Sequence, residues 1–379
     1  MKLLSLFSGI GAFEKALKNI GIEYELVNYC DIDKYAAKAY SLIHSVDENK
    51  NLIDVTKINT KDFTESIDMI TYGFPCQDIS LNGKQKGFVD EDGNLTRSGL
   101  FFEAARIISD TKPKFAIAEN VKTLTTKKFA EEFKIVLQTL SDIGYNSYYS
   151  VLNAKDFGIP QNRERMFIIS IRKDIDCGFT FPEKQILKLK LRDLLEKDVD
   201  EKYFLSDKAL EYILSSGTKN FYYKPEIDLD VARPLTATMH KMHRAGQDNY
   251  VSENFVQTGE KLHIREATKK GYAEAVEGDF VNLQFPNSKT RRGRVGKQVS
   301  QTLLCNDSNG VVTNSCRGLR IRKLTPKECF RLMGFCDSDI DILIENGISN
   351  TQLYKMAGNS IVVDVLEKIF SELFDKYEA

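Results

Sequence analysis

The sequence predicts a doubly wound, Rossmann-like α/β sheet with a second, smaller and irregular β-rich domain. From Lys2 to about Ser170, short apolar strands alternate with amphipathic segments, which is typical of a doubly wound sheet. The alternation breaks around Asp174 to Lys190. From there to about Gly318, aromatic and basic residues mix with Gly/Asn turns without a repeat. Since 379 residues exceed one average domain, we expect two domains.

The first predicted strand, Lys2 to Phe7, runs into Gly9-Ile10-Gly11 and then into a helical pattern. Glycine allows a tight turn and a close approach of backbone amides, as a nucleotide-like cofactor requires. A dinucleotide fingerprint needs a third glycine at position 14, where this chain has Glu14. The turn therefore argues against a dinucleotide.

Acidic residues follow the next two predicted strands. The strand from Tyr24 to Cys30 ends in Asp31-Ile32-Asp33, which offers a carboxylate for ribose hydroxyls and an apolar side chain for the face of adenine. We expect a third strand to end in Ile53-Asp54-Val55, where Asp54 can accept from the adenine amino group.

The segment Pro75-Cys76-Gln77 ends the apolar run from Ile67 to Phe74. Bounded by Gly and Pro, the run predicts a buried strand. Ligands bind outside the carboxyl ends of strands in open α/β sheets, so Cys76 would lie where ligands lie. Cys76 is therefore a candidate nucleophile. The alternative is a small, inert core residue, because free cysteine is often buried.

Two further strand ends carry charged side chains. The apolar strand from Ala116 ends near Glu119, and Arg163 and Arg165 lead into the apolar run that begins at Met166. A thiol, an acid and a guanidinium are thus expected to converge at one edge of the sheet. Taken singly, Glu119 fits a cap of the following helix equally well, and each arginine fits a solvated charge.

The C-terminal part predicts helices. Thr325 is an expected N-cap, with Pro326 at the first helical position and Glu328 in capping-box position. The segment Ser360 to Tyr377 has helical periodicity.

Composition sets limits on the compartment and partner. The seven cysteines form no Cys-x-x-Cys pair, no signal peptide is evident, and no apolar stretch is long enough to span a bilayer. We expect a soluble protein of a reducing compartment.

The net charge of −1 does not suggest a nucleic-acid partner. However, nine basic residues lie between Lys289 and Lys323, against the single acid Asp307. This cluster fits either a phosphate-binding surface or a solvated face. The pair His240 and His243 has no further ligand nearby in sequence, so we expect no metal site.

Several motifs, in order, resemble those of the DNA (cytosine-5) methyltransferases. They cover about the first 180 and the last 60 residues. The motifs are Phe7-Ser8-Gly9-Ile10-Gly11-Ala12-Phe13, Pro75-Cys76-Gln77, Glu119-Asn120-Val121, Gln161 with Arg163 and Arg165, Arg322 to Glu328 with Arg331, Leu332 and Gly334, and Gly358-Asn359-Ser360.

The resemblance implies a catalytic domain at residues 1–183, a target-recognition domain at 184–317, and a segment at 318–379 that returns to the catalytic domain. It implies S-adenosylmethionine as cofactor, with S-adenosylhomocysteine as product. Many relatives carry glutamate and an aromatic residue where this chain has Asp31 and Ile32. The implied cofactor-binding residues are Phe7, Gly9, Ile10, Gly11, Asp31, Ile32, Asp54, Val55, Pro75, Leu100, Asn359 and Ser360.

The implied chemistry is covalent. The Cys76 thiolate adds to C6 of a cytosine that has been flipped out of the duplex, because a stacked base hides that atom. Arg163 would make the surroundings of the thiol electropositive and hold the pyrimidine carbonyl, Arg165 would complete the paired-arginine motif, and Glu119 would bond N3 and the exocyclic amine as a protonated carboxyl. The loop from Asp78 to Arg97 is expected to act as a lid. Expected DNA contacts are Gln77, Ser80, Lys84, Gln161, Arg291, Arg292, Arg294 and Thr302.

The expected partner is double-stranded DNA, with a possible cognate restriction endonuclease. A monomer in the cytoplasm of a bacterial or phage-infected cell is the expected state. Two alternatives stay open: the same chemistry on tRNA, and a non-catalytic DNA-binding relative. The long segment between Arg165 and Arg322 argues against the first, and the intact set of Cys76, Glu119, Arg163 and Arg165 against the second.

Overall fold

The protein is described by a computed structural model. It describes residues 1–75, 87–88, 96–215, 217–218, 221–222, 224–253, 262–267, 269, 271–275, 280–282, 295–296, 309–311 and 320–377. No helix in this part of the chain is long and apolar enough to cross a membrane.

A six-stranded mixed sheet organises the N-terminal half, which confirms the predicted fold class. Its strands are β1 (Lys2–Leu6), β2 (Glu25–Cys30), β3 (Met69–Tyr72), β4 (Phe115–Val121), β5 (Tyr145–Asn153) and β6 (Glu164–Arg172). They lie in the order β2-β1-β3-β4-β6-β5. Strands β1 to β4 are parallel, and β6 runs antiparallel to both of its neighbours. The strand order reverses between β1 and β3, where open α/β sheets bind ligands.

Helices cover both faces of this sheet. The first four are α1 (Ala12–Asn19), α2 (Lys34–His44), α3 (Phe101–Thr111) and α4 (Ala130–Asp142). Leu4 of β1 and Ile70 of β3 belong to one core with Ile107 of α3 and Val136 of α4. All four residues of β3 are buried, as is typical of a strand that is covered on both faces.

The predicted strand ending at Ile53-Asp54-Val55 is wrong. The structure has only a single bridge there, between Tyr29 and Asn51. Ile53 then adopts a positive φ of 62°, and the Asp54 carboxylate caps a short 3₁₀ turn by accepting from Thr56 N. A chain that turns at Ile53 cannot continue a ladder along β2.

The middle of the chain forms a second compact unit, residues 195–229 and 244–324. Its described residues include the helix α5 (Asp207–Ile213). Its short strands are β7 (Gly217–Thr218), β8 (Phe221–Tyr222), β9 (Tyr250–Ser252), β10 (Leu262–Arg265), β11 (Tyr272–Ala275), β12 (Phe280–Asn282), β13 (Val295–Gly296), β14 (Asn309–Val311) and β15 (Ile321–Lys323). They pair as β7 with β8, β10 with β11, β13-β12-β14, and β15 with β9.

Four helices close the chain: α6 (Pro326–Arg331), α7 (Asp337–Glu345), α8 (Asn350–Asn359) and α9 (Val363–Lys376). Helix α6 begins with the predicted capping box, in which Glu328 N donates to Thr325 Oγ1 and Thr325 N donates to the Glu328 carboxylate. Helix α9 packs on α1, with the rings of Phe13 and Phe370 6.3 Å apart. Lys15 of α1 forms an ion pair with Asp339 of α7.

The first compact unit is accordingly built from residues 1–194, 230–243 and 325–379. Its boundaries at 194/195 and 324/325 fall 11 and 7 residues later than those expected at 183/184 and 317/318. It also takes in the segment 230–243, which the expected division placed in the second domain. That segment bonds to the loop before β6, because Asn162 N donates to Ala232 O and Ala232 N to Pro160 O.

A carboxyl group without a charged partner is buried beneath the sheet. Glu14 of α1 is 0% exposed, and neither of its side-chain oxygens makes a hydrogen bond of normal geometry to a described residue. The hydroxyls of Ser5 and Tyr40 are its polar neighbours. Burial raises the pKa of Glu14 because it disfavours the charged form. Burial therefore favours the neutral form of Glu14.

Replacing Glu14 with glutamine is expected to remove a pH-dependent loss of stability. Below the pKa of an unfolded glutamate, near 4.3, Glu14 is protonated in both states and costs nothing. Above that pH only the unfolded chain ionises, so folding stability falls, by at most about 1.4 kcal/mol per pH unit, until the raised folded pKa is reached.

Urea denaturation of both proteins between pH 4 and pH 8 measures this effect. We expect the advantage of Glu14→Gln over the wild type to grow as the pH rises. Replacing the exposed Glu23 with glutamine serves as the control, with a constant difference expected. A Glu14→Gln difference that does not change with pH would contradict a neutral buried acid.

Candidate active site

One cavity of about 510 Å³ opens at the carboxyl ends of β1 to β4, where the strand order reverses. Pockets for nucleotide-sized ligands commonly enclose several hundred Å³. Its lining includes nearly all of the expected cofactor-binding residues: Phe7, Gly9, Ile10, Asp31, Ile32, Asp54, Val55, Pro75, Leu100, Asn359 and Ser360. These residues come from six separate segments of the sequence, and they meet in one cavity.

The glycine turn after β1 forms one wall. Gly9 has a positive φ of 56°, and no atom lies within 4 Å of the place where a Cβ would stand. A ligand can therefore approach this backbone closely. Gly11 is not part of the lining, contrary to expectation. A Cβ there would stand 2.1 Å from His44 Nε2, so Gly11 is needed for packing behind the turn.

The Asp31 carboxylate lies beside this turn. It accepts hydrogen bonds from Gly9 N and Asp33 N, both at 2.8 Å. Burial raises the pKa of Asp31, and these two amide hydrogen bonds oppose that rise. A carboxylate has about four lone-pair positions, so two remain for the hydroxyls of a ligand. The neighbouring Ile32 is 76% exposed, which leaves an apolar surface uncovered in the cavity.

Asp54 provides a second, more strongly acidic group. Its Oδ1 accepts from both the amide and the hydroxyl of Thr56, at 3.1 and 2.8 Å. These hydrogen bonds, the hydroxyl foremost, lower the pKa of Asp54. Asp54 is thus a fixed anionic acceptor at the cavity.

Arg163 ties the C-terminal helices to the sheet. Its guanidinium is 3% exposed and donates to three backbone carbonyls: Leu235 O at 2.9 Å, Gly358 O at 3.0 Å and Ser360 O at 2.7 Å. Position 358 needs a glycine, because a Cβ there would lie only 2.3 Å from the backbone carbon of Thr236. Arg163 lines the cavity, but these hydrogen bonds direct its Nη atoms to the backbone. This arrangement does not support the expected role of Arg163 in holding a pyrimidine carbonyl.

Glu119 and Arg165 form a pair in the cavity. Val121 lies opposite Arg165 in the β4–β6 ladder, and Glu119, two residues earlier, therefore points to the same face as Val121. Arg165 Nε lies 3.0 Å from Glu119 Oε1. Burial raises the pKa of Glu119 by more than Arg165 and Arg163 lower it. Burial therefore favours the protonated form of the Glu119 carboxyl.

Asn120 joins this pair to the segment that precedes Cys76. Its buried side chain donates to Phe74 O at 3.0 Å and accepts from Val121 N. Gly73 lies beside Glu119, since a Cβ at Gly73 would stand 3.8 Å from Glu119 Oε2. Pro75 lines the cavity. The residue that follows, Cys76, lies outside the described residues.

Gln161 does not face solvent, so the expected DNA contact is corrected. It is 0% exposed. Its side-chain oxygen accepts from Leu235 N and its nitrogen donates to Leu332 O. Both ends of the amide are therefore used to join segments of the first unit. The other expected DNA contacts lie outside the described residues: Gln77, Ser80, Lys84, Arg291, Arg292, Arg294 and Thr302. Most of the expected lid loop, 78–97, lies outside them as well.

Several lining residues were not among the expected cofactor-binding or catalytic residues, among them Asp33, Ile53, Arg97, Asn120 and Lys355. Lys355 Nζ forms an ion pair of 2.6 Å with Asp33 Oδ2, which links α8 to the end of β2. No local pattern marks such a pair, because its members are 322 residues apart. In the described part of the chain, no three His, Cys, Asp or Glu side chains are grouped to hold a metal ion.

The mixed sheet, the glycine turn and the acidic residues beside it define a Rossmann-like protein with a nucleotide-sized cavity. Comparisons with known proteins refine this assignment. The family model described as C-5 cytosine-specific DNA methylase matches residues 1–375.

Curated relatives match along nearly the whole chain. The orphan methyltransferase M.SPRI of Bacillus phage SPR is 35% identical, over 100% of this chain and 98% of that protein. The type II methyltransferase M.HhaI of Haemophilus parahaemolyticus is 30% identical, over 97% and 93%.

Solved structures share the fold at low identity. The Entamoeba histolytica methyltransferase EhMeth superposes with a TM-score of 0.68 at 18% identity, over 100% of this chain and 99% of that one. The S. pombe Dnmt2 methyltransferase gives 0.65 at 19%, with both chains covered completely.

The chain belongs to the C-5 cytosine-specific DNA methylase family. It is a DNA (cytosine-5-)-methyltransferase, and the resemblance of its motifs to that family is confirmed.

Proposed function

We propose that this enzyme transfers the methyl group of S-adenosylmethionine to C5 of a cytosine flipped out of double-stranded DNA, within a specific short sequence. One observation carries the proposal. A single cavity brings together nucleotide-binding residues and the Glu119–Arg165 pair. A donor and a target base bound there would meet beside a carboxyl group whose pKa burial raises.

The chain's own residues fit the nucleoside part of this cofactor. Asp31 has lone pairs left for the ribose hydroxyls, Ile32 offers an uncovered apolar surface to the adenine ring, and Asp54 is a fixed acceptor for its amino group. Asn359 and Ser360 close the cavity from α8, where Arg163 holds the backbone. When bound, S-adenosylmethionine supplies an electrophilic methyl group.

Cys76 is the proposed nucleophile. Cytosine C5 is a poor nucleophile, but addition of a thiolate to C6 moves the ring electrons toward N3 and C5 and gives an enamine that attacks the methyl group. A protonated Glu119 donates to N3 as negative charge develops on the ring. After transfer, a base removes the C5 proton, the C5–C6 double bond re-forms, and the thiolate leaves.

Arg165, rather than Arg163, is the proposed donor to the pyrimidine carbonyl. Arg165 Nε lies at the Glu119 carboxylate, and Arg165 is 21% exposed. The Nη atoms of Arg163 are directed to the carbonyls of Leu235, Gly358 and Ser360. Arg163 would then act by fixing the walls of the cavity.

The second compact unit is the proposed reader of the DNA sequence. The cluster between Lys289 and Lys323 supplies positive charge for phosphates. We assign DNA contacts to Gln77, Ser80 and Lys84 beside the nucleophile and to Arg291, Arg292, Arg294 and Thr302 in the second unit. A monomeric state on DNA, a possible cognate endonuclease and a location in the bacterial cytoplasm belong to the same proposal.

Incubation with methyl-labelled S-adenosylmethionine and separate pools of double-stranded DNA and tRNA tests the function. We expect label in DNA, released on digestion as 5-methylcytosine. Bisulfite sequencing of DNA from cells expressing the gene should then show a fixed word around each modified cytosine. Label in tRNA alone, or in neither pool, would contradict the proposal.

A further inference from the structure

The residue between Leu52 and Asp54 combines a strained backbone with an uncovered apolar side chain. Ile53 has a φ of +62°. Asp54 N donates to Leu52 O at 2.7 Å, which closes a three-residue turn with Ile53 at its centre. A positive φ is unusual for any residue with a Cβ, and for a β-branched side chain it is a true outlier.

Helix ends explain most of the other non-glycine residues with positive φ in the described part of the chain. Ser45, Lys112 and Met242 each follow a helical segment, where the left-handed conformation is common. Ile53 follows no helix. Phe7 (φ 52°) and Ile53 are the two such residues that line the cavity. Strained residues of this kind cluster at ligand-binding sites, where the surrounding structure holds them.

The side chain of Ile53 is 58% exposed, although it lines a cavity. Among the described residues, Ile32 is the other large apolar side chain that is both exposed and part of this lining. Apolar surface inside a cavity is favourable to cover, and a flat, largely apolar ring covers it well.

Asn51 couples these two isoleucines. Its side-chain oxygen accepts from Asp31 N and from Ile53 N, both at 3.0 Å, and its nitrogen donates to Asp31 O at 3.0 Å. The backbone before Ile32 and the backbone of Ile53 are therefore fixed by one amide group. The strained turn keeps its position relative to the end of β2.

We propose that Ile53 is a specificity-determining residue that packs against the purine ring of the cofactor together with Ile32. This inference rests on the proposed function, because it takes S-adenosylmethionine as the cofactor. Glycine and asparagine adopt a positive φ at little cost. A β-branched residue at this position is therefore unfavourable for the unliganded turn, and its advantage lies in the ligand contact.

Two substitutions separate ligand contact from a structural role. Ile53→Asn and Ile53→Gly both accept the backbone conformation, keep the N–H that donates to Asn51, and remove the aliphatic side chain. The matched control is Ile186→Asn, since Ile186 is 88% exposed and is not part of the cavity lining. Binding of S-adenosylhomocysteine is measured by calorimetry, and thermal denaturation is measured without ligand.

We expect both Ile53 variants to bind S-adenosylhomocysteine about tenfold more weakly, the loss typical of one aliphatic contact. Their denaturation temperatures without ligand should equal or exceed that of the wild type. The KM for S-adenosylmethionine should rise while kcat stays within about twofold. Ile186→Asn should change none of these quantities.

Two results would overturn the inference: an affinity within about twofold of the wild type in both variants, or a lower denaturation temperature in both, which indicates a structural role. In either case the proposed function stands if the wild type binds S-adenosylhomocysteine and methylates DNA. A wild-type protein that binds no S-adenosylhomocysteine would instead contradict the proposed cofactor.

Discussion

Replacing Glu119 with glutamine is expected to lower kcat for methyl transfer by about 10²- to 10⁴-fold, the usual contribution of a positioned acid or base. The glutamine side chain has nearly the same shape, but it cannot transfer a proton to N3 of the base. Burial raises the pKa of Glu119 even with Arg165 Nε 3.0 Å from its carboxylate. Burial therefore favours the protonated form of Glu119 in the wild-type site, and a glutamine has no such proton to transfer.

Glu164→Gln is the matched control for this experiment. Glu164 is the neighbour of Arg165 in β6, but its carboxylate is 43% exposed and pairs with Lys122 outside the cavity. Single-turnover kinetics with saturating cofactor should show little change for Glu164→Gln and a large loss for Glu119→Gln. A Glu119→Gln enzyme with kcat within about threefold of the wild type would exclude proton donation by Glu119.

Replacing Cys76 with serine is expected to abolish methyl transfer, with a loss of about 10³-fold or more, while DNA binding is retained. A serine hydroxyl is a far weaker nucleophile than a thiolate at neutral pH, and removal of a covalent nucleophile in other enzymes costs up to about 10⁶-fold in kcat. DNA affinity depends mainly on phosphate contacts, which this change leaves in place.

Cys177→Ser provides the comparison, because Cys177 is an exposed free thiol that is not part of the cavity lining. Transfer of labelled methyl groups and electrophoretic mobility shifts on the same DNA measure the two properties separately. Retained transfer by Cys76→Ser would remove that residue from the mechanism. Lost DNA binding would show that the change disturbs more than the chemistry.

The parts of the fold that the sequence predicted well are those with local signals. The capping box at Thr325 and Glu328 needs only four adjacent residues. Strands β1, β3 and β4 lie in buried apolar runs that a single pattern identifies. Strand β5 has no such apolar run. It lies at an edge of the sheet, and its residues Tyr145–Asn153 are mostly polar or aromatic and only partly buried.

In the candidate site, too, some features were predictable from local sequence and others were not. Asp31 was identified because a carboxylate at a strand end reaches the edge where ligands bind. Asp54 lines the cavity as well, although the strand expected before it is a turn. Gln161 and Arg163 were placed at the site, but their partners were not foreseen. Gln161 bonds to Leu332 across 171 positions, and Arg163 to Ser360 across 197. A polar residue next to a motif can contact ligand or backbone equally well, and only the fold decides between them.

The strained turn at Ile53 is a third feature that could not be predicted from the sequence. An apolar Leu-Ile beside Asp-Val predicts a strand, since nothing in these residue types favours a positive φ. The turn forms because Asn51 and Asp54 supply hydrogen bonds that over-determine the backbone on either side. The physical cause lies in Asn51 and Asp54, because the short polar side chains of Asn and Asp bond to nearby backbone and favour turns.

Trapping with 5-fluorocytosine tests most directly the covalent bond between Cys76 and C6. In duplex DNA that carries the recognition word, fluorine occupies the position of the C5 proton, so no base can remove it after methyl transfer and the thiol cannot leave. We predict a denaturation-resistant complex that forms only with S-adenosylmethionine, with the DNA-linked peptide containing Cys76. A methylation-competent enzyme that forms no adduct, or one linked through another residue, would contradict this account.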